Sequence, residues 1–172
     1  MINNNVKKFF QVGTSGGSVY GVNINGVQTS YTLNENYVFM ALCARNAANP
    51  GAALSLPYGG ACVVVGFGDT AEAPDDYGLA DGNYNNARLA VANYGKNTFV
   101  PGDIISIYAG YTNNTGSNVI VKELGIIGNP TGNSQASGGN NVCLLFRKVL
   151  ETPVTIAPGE TYIFSYRVKL KE

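Results

Sequence analysis

Four stretches decide the fold: Asn118-Val-Ile-Val-Lys-Glu-Leu-Gly-Ile-Ile127, Cys143-Leu-Leu-Phe-Arg-Lys-Val149, Pro153-Val-Thr-Ile-Ala-Pro-Gly-Glu160 and Thr161-Tyr-Ile-Phe-Ser-Tyr-Arg-Val-Lys-Leu170. In the last, Tyr162, Phe164, Tyr166, Val168 and Leu170 alternate with Thr161, Ser165, Arg167 and Lys169. Side chains in a strand point to opposite faces in turn, so this period of two predicts a strand with one buried face. Ala157-Pro158-Gly159-Glu160 suits a type II turn, because Pro presets φ at the second position and Gly accepts the positive φ of the third. The expectation is a hairpin whose first strand is Pro153 to Ile156.

Working outward, the chain reads as strands almost throughout. Val6 to Val12 and Ser18 to Ile24 are short candidates separated by Gly13-Thr-Ser-Gly-Gly17, a flexible composition that suits an arm. Asn36 to Arg45 fits a buried strand or a short helix, and its length does not decide. Ala61 to Phe67, Ala87 to Ala92 and Asp103 to Tyr111 are further strands. Thr112-Asn-Asn-Thr-Gly-Ser117 is a turn by composition and is expected to join the last of these to Val119 to Ile127 as a hairpin. Residues 128 to 141, rich in Gly, Asn and Ser, read as a loop that is either mobile or ordered only by a partner. Short strands at this spacing, with no long amphipathic helix, predict an all-β antiparallel β-sandwich, immunoglobulin-like or jelly-roll, with an N-terminal arm. The division is residues 1–30 as arm or first strands and residues 31–172 as the sandwich.

Parts of this pattern are similar to a known family. The order "strand, Glu-Leu-Gly-Ile, loop, Leu-Leu-Phe-Arg-Lys-Val-Leu, Thr-Pro-Val-Thr-Ile, Pro-Gly-Glu, alternating strand" resembles the C-terminal half of a small β-domain recurrent among virion structural proteins of tailed bacteriophages. Upstream, Val65-Gly-Phe-Gly-Asp-Thr-Ala-Glu-Ala-Pro-Asp-Asp-Tyr-Gly-Leu79 is similar to the phrase that opens that domain. The resemblance runs from about residue 60 to the C-terminus. It implies a capsid auxiliary, decoration or head-fibre subunit, located in the virion, with other virion proteins and its own copies as partners.

Composition narrows the alternatives. A chain of 172 residues, 45% apolar, buries roughly 70% of its unfolded surface as one domain. Only 13% of residues are charged, and 11 Lys and Arg balance 11 Asp and Glu with no basic block. The electrostatic attraction that drives nucleic-acid binding is therefore missing, and no nucleic-acid partner is expected. No apolar run approaches the ~18 residues that span a bilayer, and Met1-Ile-Asn-Asn-Asn lacks the start of a signal peptide. The expectation is synthesis in the host cytoplasm, no secretion by a signal peptide and no membrane partner.

Catalysis is not expected. Gly13-Thr-Ser-Gly-Gly17 superficially matches a serine-protease nucleophile loop, but the chain has no His to serve as base. Cys43, Cys62 and Cys143 stand apart in apolar runs, without zinc-ligand spacing or an activating imidazole. They read as buried thiols, with a Cys62 to Cys143 bridge as the alternative if their strands are neighbours. Asp69, Glu72, Asp75, Asp76 and Asp81 have the chemistry of a calcium loop but no calcium-loop spacing, and Asp beside Pro and Gly is ordinary turn chemistry. Nor does anything select a pair of carboxylates for glycoside hydrolysis, and the chain has no Trp as a sugar platform. No cofactor is expected.

Two sets of residues are singled out. Glu123 and Arg147 lie in strands otherwise made of Val, Ile, Leu and Phe, where charges near a core persist only when paired; they are expected to meet on neighbouring strands, with two separate surface charges as the alternative. Val6, Phe9 and Phe10 form an apolar patch beside Lys7 and Lys8 that is expected to dock on another subunit, with a first strand of the sandwich as the alternative. Two function classes follow: a virion structural subunit, or a carbohydrate-binding or adhesin-like module of a fibre or tail. A concave face with exposed aromatic residues would separate the second from the first.

Overall fold

The computed structural model describes residues 17–33, 61–84, 86–96, 103–128 and 142–169. Within them lie eight strands: β1 (Gly17–Val22), β2 (Gln28–Leu33), β3 (Ala61–Gly66), β4 (Leu89–Lys96), β5 (Asp103–Asn113), β6 (Val119–Gly128), β7 (Cys143–Ile156) and β8 (Thr161–Lys169). All pairings are antiparallel: β1 with β2, a sheet in the order β3-β6-β7, and a sheet in the order β4-β5-β8. The two three-stranded sheets pack face to face, so the protein is an all-β antiparallel sandwich. Its core joins Val63, Val65, Val121, Ile126 and Leu145 to Leu89, Ile107, Ala109, Tyr111 and Phe164. The Tyr111 hydroxyl donates to the Val63 carbonyl at 2.8 Å, so a buried aromatic ties one sheet to the other without leaving its polar end unsatisfied.

Both expected hairpins in the C-terminal half are corrected. The Pro-Gly turn forms as its chemistry dictates, with Gly159 at φ 79° and Glu160 N–H donating to the Ala157 carbonyl at 3.0 Å. Its arms do not pair. β7 runs on through Pro153 and pairs with β6, whereas β8 pairs with β5. Likewise residues 114–118 lead from β5 to β6, which lie in different sheets. Turn residues specify a reversal; they carry no information about which sheet each arm joins. The two arches meet at Asn113, which is fully buried. Its side-chain amide donates to the carbonyls of Ser117 and Ile156, both at 2.8 Å, and its carbonyl oxygen accepts from Thr115 N–H at 2.9 Å. Its backbone exchanges bonds with Glu160 and Gly159.

The β3-β6-β7 sheet is buried on its second face too, which is why Cys62-Val-Val-Val65 is apolar without alternation. There Cys62, Val64, Ile127, Val142 and Leu144 pack with Ile24 and Leu79, and with Tyr84 at the margin. Ile24 comes from the turn between β1 and β2, and its N–H donates to the Val142 carbonyl at 3.0 Å. The division at residue 30 therefore cuts through β2, and residues 17–30 form first strands docked on the sandwich. Residues 1–16, 36–45 and 129–141 lie outside the described residues.

Cys62 and Cys143 cannot bridge. β6 separates their strands, and they face opposite sides of the sheet, Cys62 outward and Cys143 into the inter-sheet core. Both are free, buried thiols.

Candidate functional site

The segment 67–82 crosses the outer face of the β3-β6-β7 sheet and returns to its starting point. Phe67 N–H donates to the Asp81 carbonyl at 2.9 Å, Gly66 bridges to Gly82, and Asn83 N–H donates to the Val65 carbonyl at 2.9 Å. A segment with adjoining ends and its own packing is an Ω-loop. It also covers the outer edge of β3, which would otherwise present unpaired backbone groups.

Beneath the loop lie Glu123 and Arg147. Strict alternation along β6 from Val121 would drive Glu123 into the apolar inter-sheet core. The register slips between Val121 and Glu123, opposite the β7 stretch that contains Pro153, so that Leu124 and Ile126 face the core and Glu123 faces the loop. A bulge of this kind re-aims a side chain and tolerates a proline that the ladder would not. Arg147, paired in register with Gly125, emerges on the same face.

The structure brings the two together. Arg147 Nε donates to Glu123 Oε2 at 2.8 Å, and a terminal guanidinium nitrogen reaches the same oxygen at 2.8 Å. That same nitrogen donates to the Thr70 carbonyl at 2.9 Å, and the other terminal nitrogen donates to Asp76 Oδ2 at 2.7 Å. The remaining Glu123 valences take loop amides: Ala80 N–H on Oε2 at 3.2 Å and Asp81 N–H on Oε1 at 3.0 Å. The Glu123 side chain is 0% exposed and that of Arg147 4%. Burial works to lower the Arg147 pKa, but the hydrogen bonds and charges of Asp76 and Glu123 outweigh it and hold the guanidinium above its ordinary value.

Two glycines make room for the carboxylate. A Cβ on Gly66 would meet Glu123 Oε1 at 2.5 Å, and one on Gly68 would meet the Ala80 Cβ at 2.6 Å. This is the physical content of Gly66-Phe-Gly68 ahead of the acidic phrase.

Four of the five acids in that phrase have partners of their own. Asp69 accepts from Lys122 at 2.8 Å, which holds its carboxyl below the usual range. Glu72 accepts from Val149 N–H at 2.8 Å, Asp76 binds Arg147 and Ala73 N–H, and Asp81 binds Arg88 at 2.7 Å. Arg88 in turn lies over the Phe67 ring, 4.3 Å from its centroid. No group of three or more Cys, Asp or Glu converges as a metal cage among the described residues. The carboxylates act as ties that hold the loop to β6 and β7.

Sequence reasoning singled out the Glu123–Arg147 pair but not the tie that Asp76 makes to Arg147, nor Asn83 and Asn113, whose partners become neighbours only in the fold. Asn83 is buried, donating to the Leu89 carbonyl at 2.7 Å and accepting from Arg88 and Leu89 N–H. Asp76 carried a usable signal, because an unmatched Arg in an apolar strand implies a second acid nearby. Val6, Phe9 and Phe10 lie outside the described residues.

Beside the ion network the loop borders a half-open pocket of about 320 Å³ lined by Thr70, Asp75, Asp76, Tyr77, the 78–80 segment and Arg147. Tyr77 is half exposed and packs against Gly26, where a Cβ would lie 3.2 Å from the ring.

No protein-family model, curated protein or solved structure matches the chain.

Proposed function

We propose that the protein is a structural subunit of a tailed-phage virion, a small capsid-associated auxiliary, decoration or head-fibre protein that acts by protein–protein contact. The sequence resemblance motivates this reading. Its two halves, the Val65 to Leu79 phrase and the strands carrying Glu123 and Arg147, correspond to one physical unit, the Ω-loop and the sheet it closes on. The observation that carries the proposal is how the side chains are used. The buried charges are spent on holding that loop, while Tyr20, Val27, Tyr77, Ile120, Tyr162 and Ile163 stay 45–62% exposed. Exposed apolar side chains mark a surface for partners where they form a contiguous patch. In this reading the chain has no catalytic activity, is made in the host cytoplasm and meets other virion proteins and its own copies. Quantitative mass spectrometry of gradient-purified particles of the phage that encodes it tests this: a fixed ratio to the major capsid protein is expected, and absence from the particles overturns it.

A second reading, a carbohydrate-binding module of a fibre or tail, is favoured by one observation: a concave site next to an exposed aromatic residue, the cavity beside Tyr77.

A further inference from the structure

We infer that the cavity under the Ω-loop is a saccharide-binding site, with Tyr77 as its stacking surface and Asp75, Thr70 and the Tyr77 hydroxyl as its hydrogen-bonding groups. The inference rests on the second reading above and gives it a location.

The contrast among the loop's acids selects these residues. Asp69, Glu72, Asp76 and Asp81 each bind a cation or a backbone amide. Asp75, on the cavity wall, makes no hydrogen bond or ion pair among the described residues, and neither does the Thr70 hydroxyl or the Tyr77 hydroxyl. The backbone amides nearby are already engaged: Leu79 N–H by the Tyr84 hydroxyl at 2.6 Å, and Ala80 and Asp81 N–H by Glu123. The cavity floor is likewise settled, because Arg147 is held by Glu123 and Asp76. What remains open is one carboxylate acceptor, two hydroxyls and one aromatic ring.

That set fits a neutral polyhydroxylated ligand with one apolar face. A pyranose presents adjacent hydroxyls that a carboxylate accepts from in pairs, and a C–H face that lies on an aromatic ring. The volume of about 320 Å³ sits at the lower end of the roughly 300–1,000 Å³ seen for small-molecule sites, enough for a single terminal sugar. The Tyr77 ring rests on Gly26, whose φ of 78° fixes the turn between β1 and β2, and the loop backbone is pinned from below by Glu123 and Arg147. A preorganised site loses less entropy on binding.

The test is a titration of the full chain, followed by NMR, with glucose, galactose, N-acetylglucosamine and rhamnose in turn. Saturable shifts of the 75–80 amides with at least one sugar are expected, weakened by about tenfold or more in Tyr77→Ala and in Asp75→Ala, with the melting temperature unchanged in Asp75→Ala, whose side chain is exposed and unpaired among the described residues. Sugar binding that survives both substitutions overturns this site while leaving the carbohydrate reading standing. Absence of binding to all four sugars and to an array of bacterial surface glycans overturns both.

Discussion

The two faces of the β3-β6-β7 sheet are buried by different means. Toward the β4-β5-β8 sheet, Val63, Val65, Val121, Ile126 and Leu145 meet Ile107, Ala109, Tyr111 and Phe164 in aliphatic and aromatic contact. On the opposite face a smaller apolar cluster around Cys62, Val64, Ile127 and Leu144 adjoins the buried Glu123–Arg147 ion pair. Apolar burial is non-directional, so the inner face contributes stability without dictating which atom of a partner lands where. The guanidinium and carboxylate are directional. Between them they fix Thr70, Ala71, Asp76, Ala80 and Asp81 by hydrogen bonds that no shifted loop could reproduce. Because desolvation offsets most of the attraction within a buried pair, its net contribution to stability is small. The comparison assigns stability to the inner face and the placing of the loop to the outer one.

The largest expected effect is from breaking the pair. Arg147→Ala leaves the Glu123 carboxylate buried without a cation and is expected to cost about 3–5 kcal/mol in urea unfolding, whereas Glu123→Ala should cost less because Asp76 still binds the guanidinium. Replacing both, as Glu123→Leu with Arg147→Met, should recover most of that loss yet leave the 67–82 segment open to limited proteolysis at native conditions. A double replacement that keeps the loop protected would mean that apolar packing alone positions it. On the inner face, Ile126→Ala is expected to cost roughly 2–5 kcal/mol by creating a cavity. There the loop should stay protected until the whole domain unfolds, so cleavage of the loop ahead of global unfolding would erase the distinction between the faces.

Next in size is Gly66→Ala. In an ordinary strand position, replacing Gly by Ala stabilises by roughly 0.5–1 kcal/mol. Here the added Cβ falls 2.5 Å from Glu123 Oε1, and overpacking of this kind costs about 1–3 kcal/mol. Thermal unfolding should show the loss in the wild-type background and not in Glu123→Ala, where the obstructing carboxylate is gone. Equal losses in both backgrounds would place the strain elsewhere than at Glu123.

How much of this was legible in the sequence follows from the range of each interaction. Period-two alternation in Thr161 to Leu170 and the density of Cys62-Val-Val-Val65 are local, and they gave the strands. That Glu123 and Arg147 meet was one of two open readings, because a charge in an apolar strand either pairs or reaches the surface, and only the register of β6 against β7 decides which. The pairing of strands was not readable from Pro158-Gly159 or Asn113 to Ser117, since a turn constrains four residues and the choice of sheet depends on contacts far along the chain. The slip at Val121 to Glu123 was hidden for the same reason: it is a property of β6 against β7, legible only once both are in register. Asp75 and Asp76 look alike in sequence, and only the position of Arg147 separates a structural tie from a side chain left facing a cavity.

The smallest effect is nil at neutral pH and uses the two thiols as reporters, one on each face. Burial pushes the Cys62 thiol up to about 12 and the Cys143 thiol higher still, whereas an unfolded cysteine titrates near 8.5. The folded chain therefore keeps protons that the unfolded chain releases. The associated stability is complete below the unfolded pKa and declines as pH rises from about 9 toward 12, so urea midpoints should fall over that window. Neither thiol should react with an aromatic disulfide reagent at pH 8 in the native protein, since the thiolate is the nucleophile and both are buried. In Arg147→Ala the order becomes informative. Cys62 packs with Leu79 of the Ω-loop, so loosening the loop exposes it, while Cys143 faces the inter-sheet core and waits for global unfolding. Peptide mapping by mass spectrometry, which also distinguishes both from Cys43, is expected to find Cys62 modified first in that variant. Modification of Cys62 and Cys143 at one common rate would mean that the two faces open as a single unit, and that the ion network holds the whole domain closed instead of the loop alone.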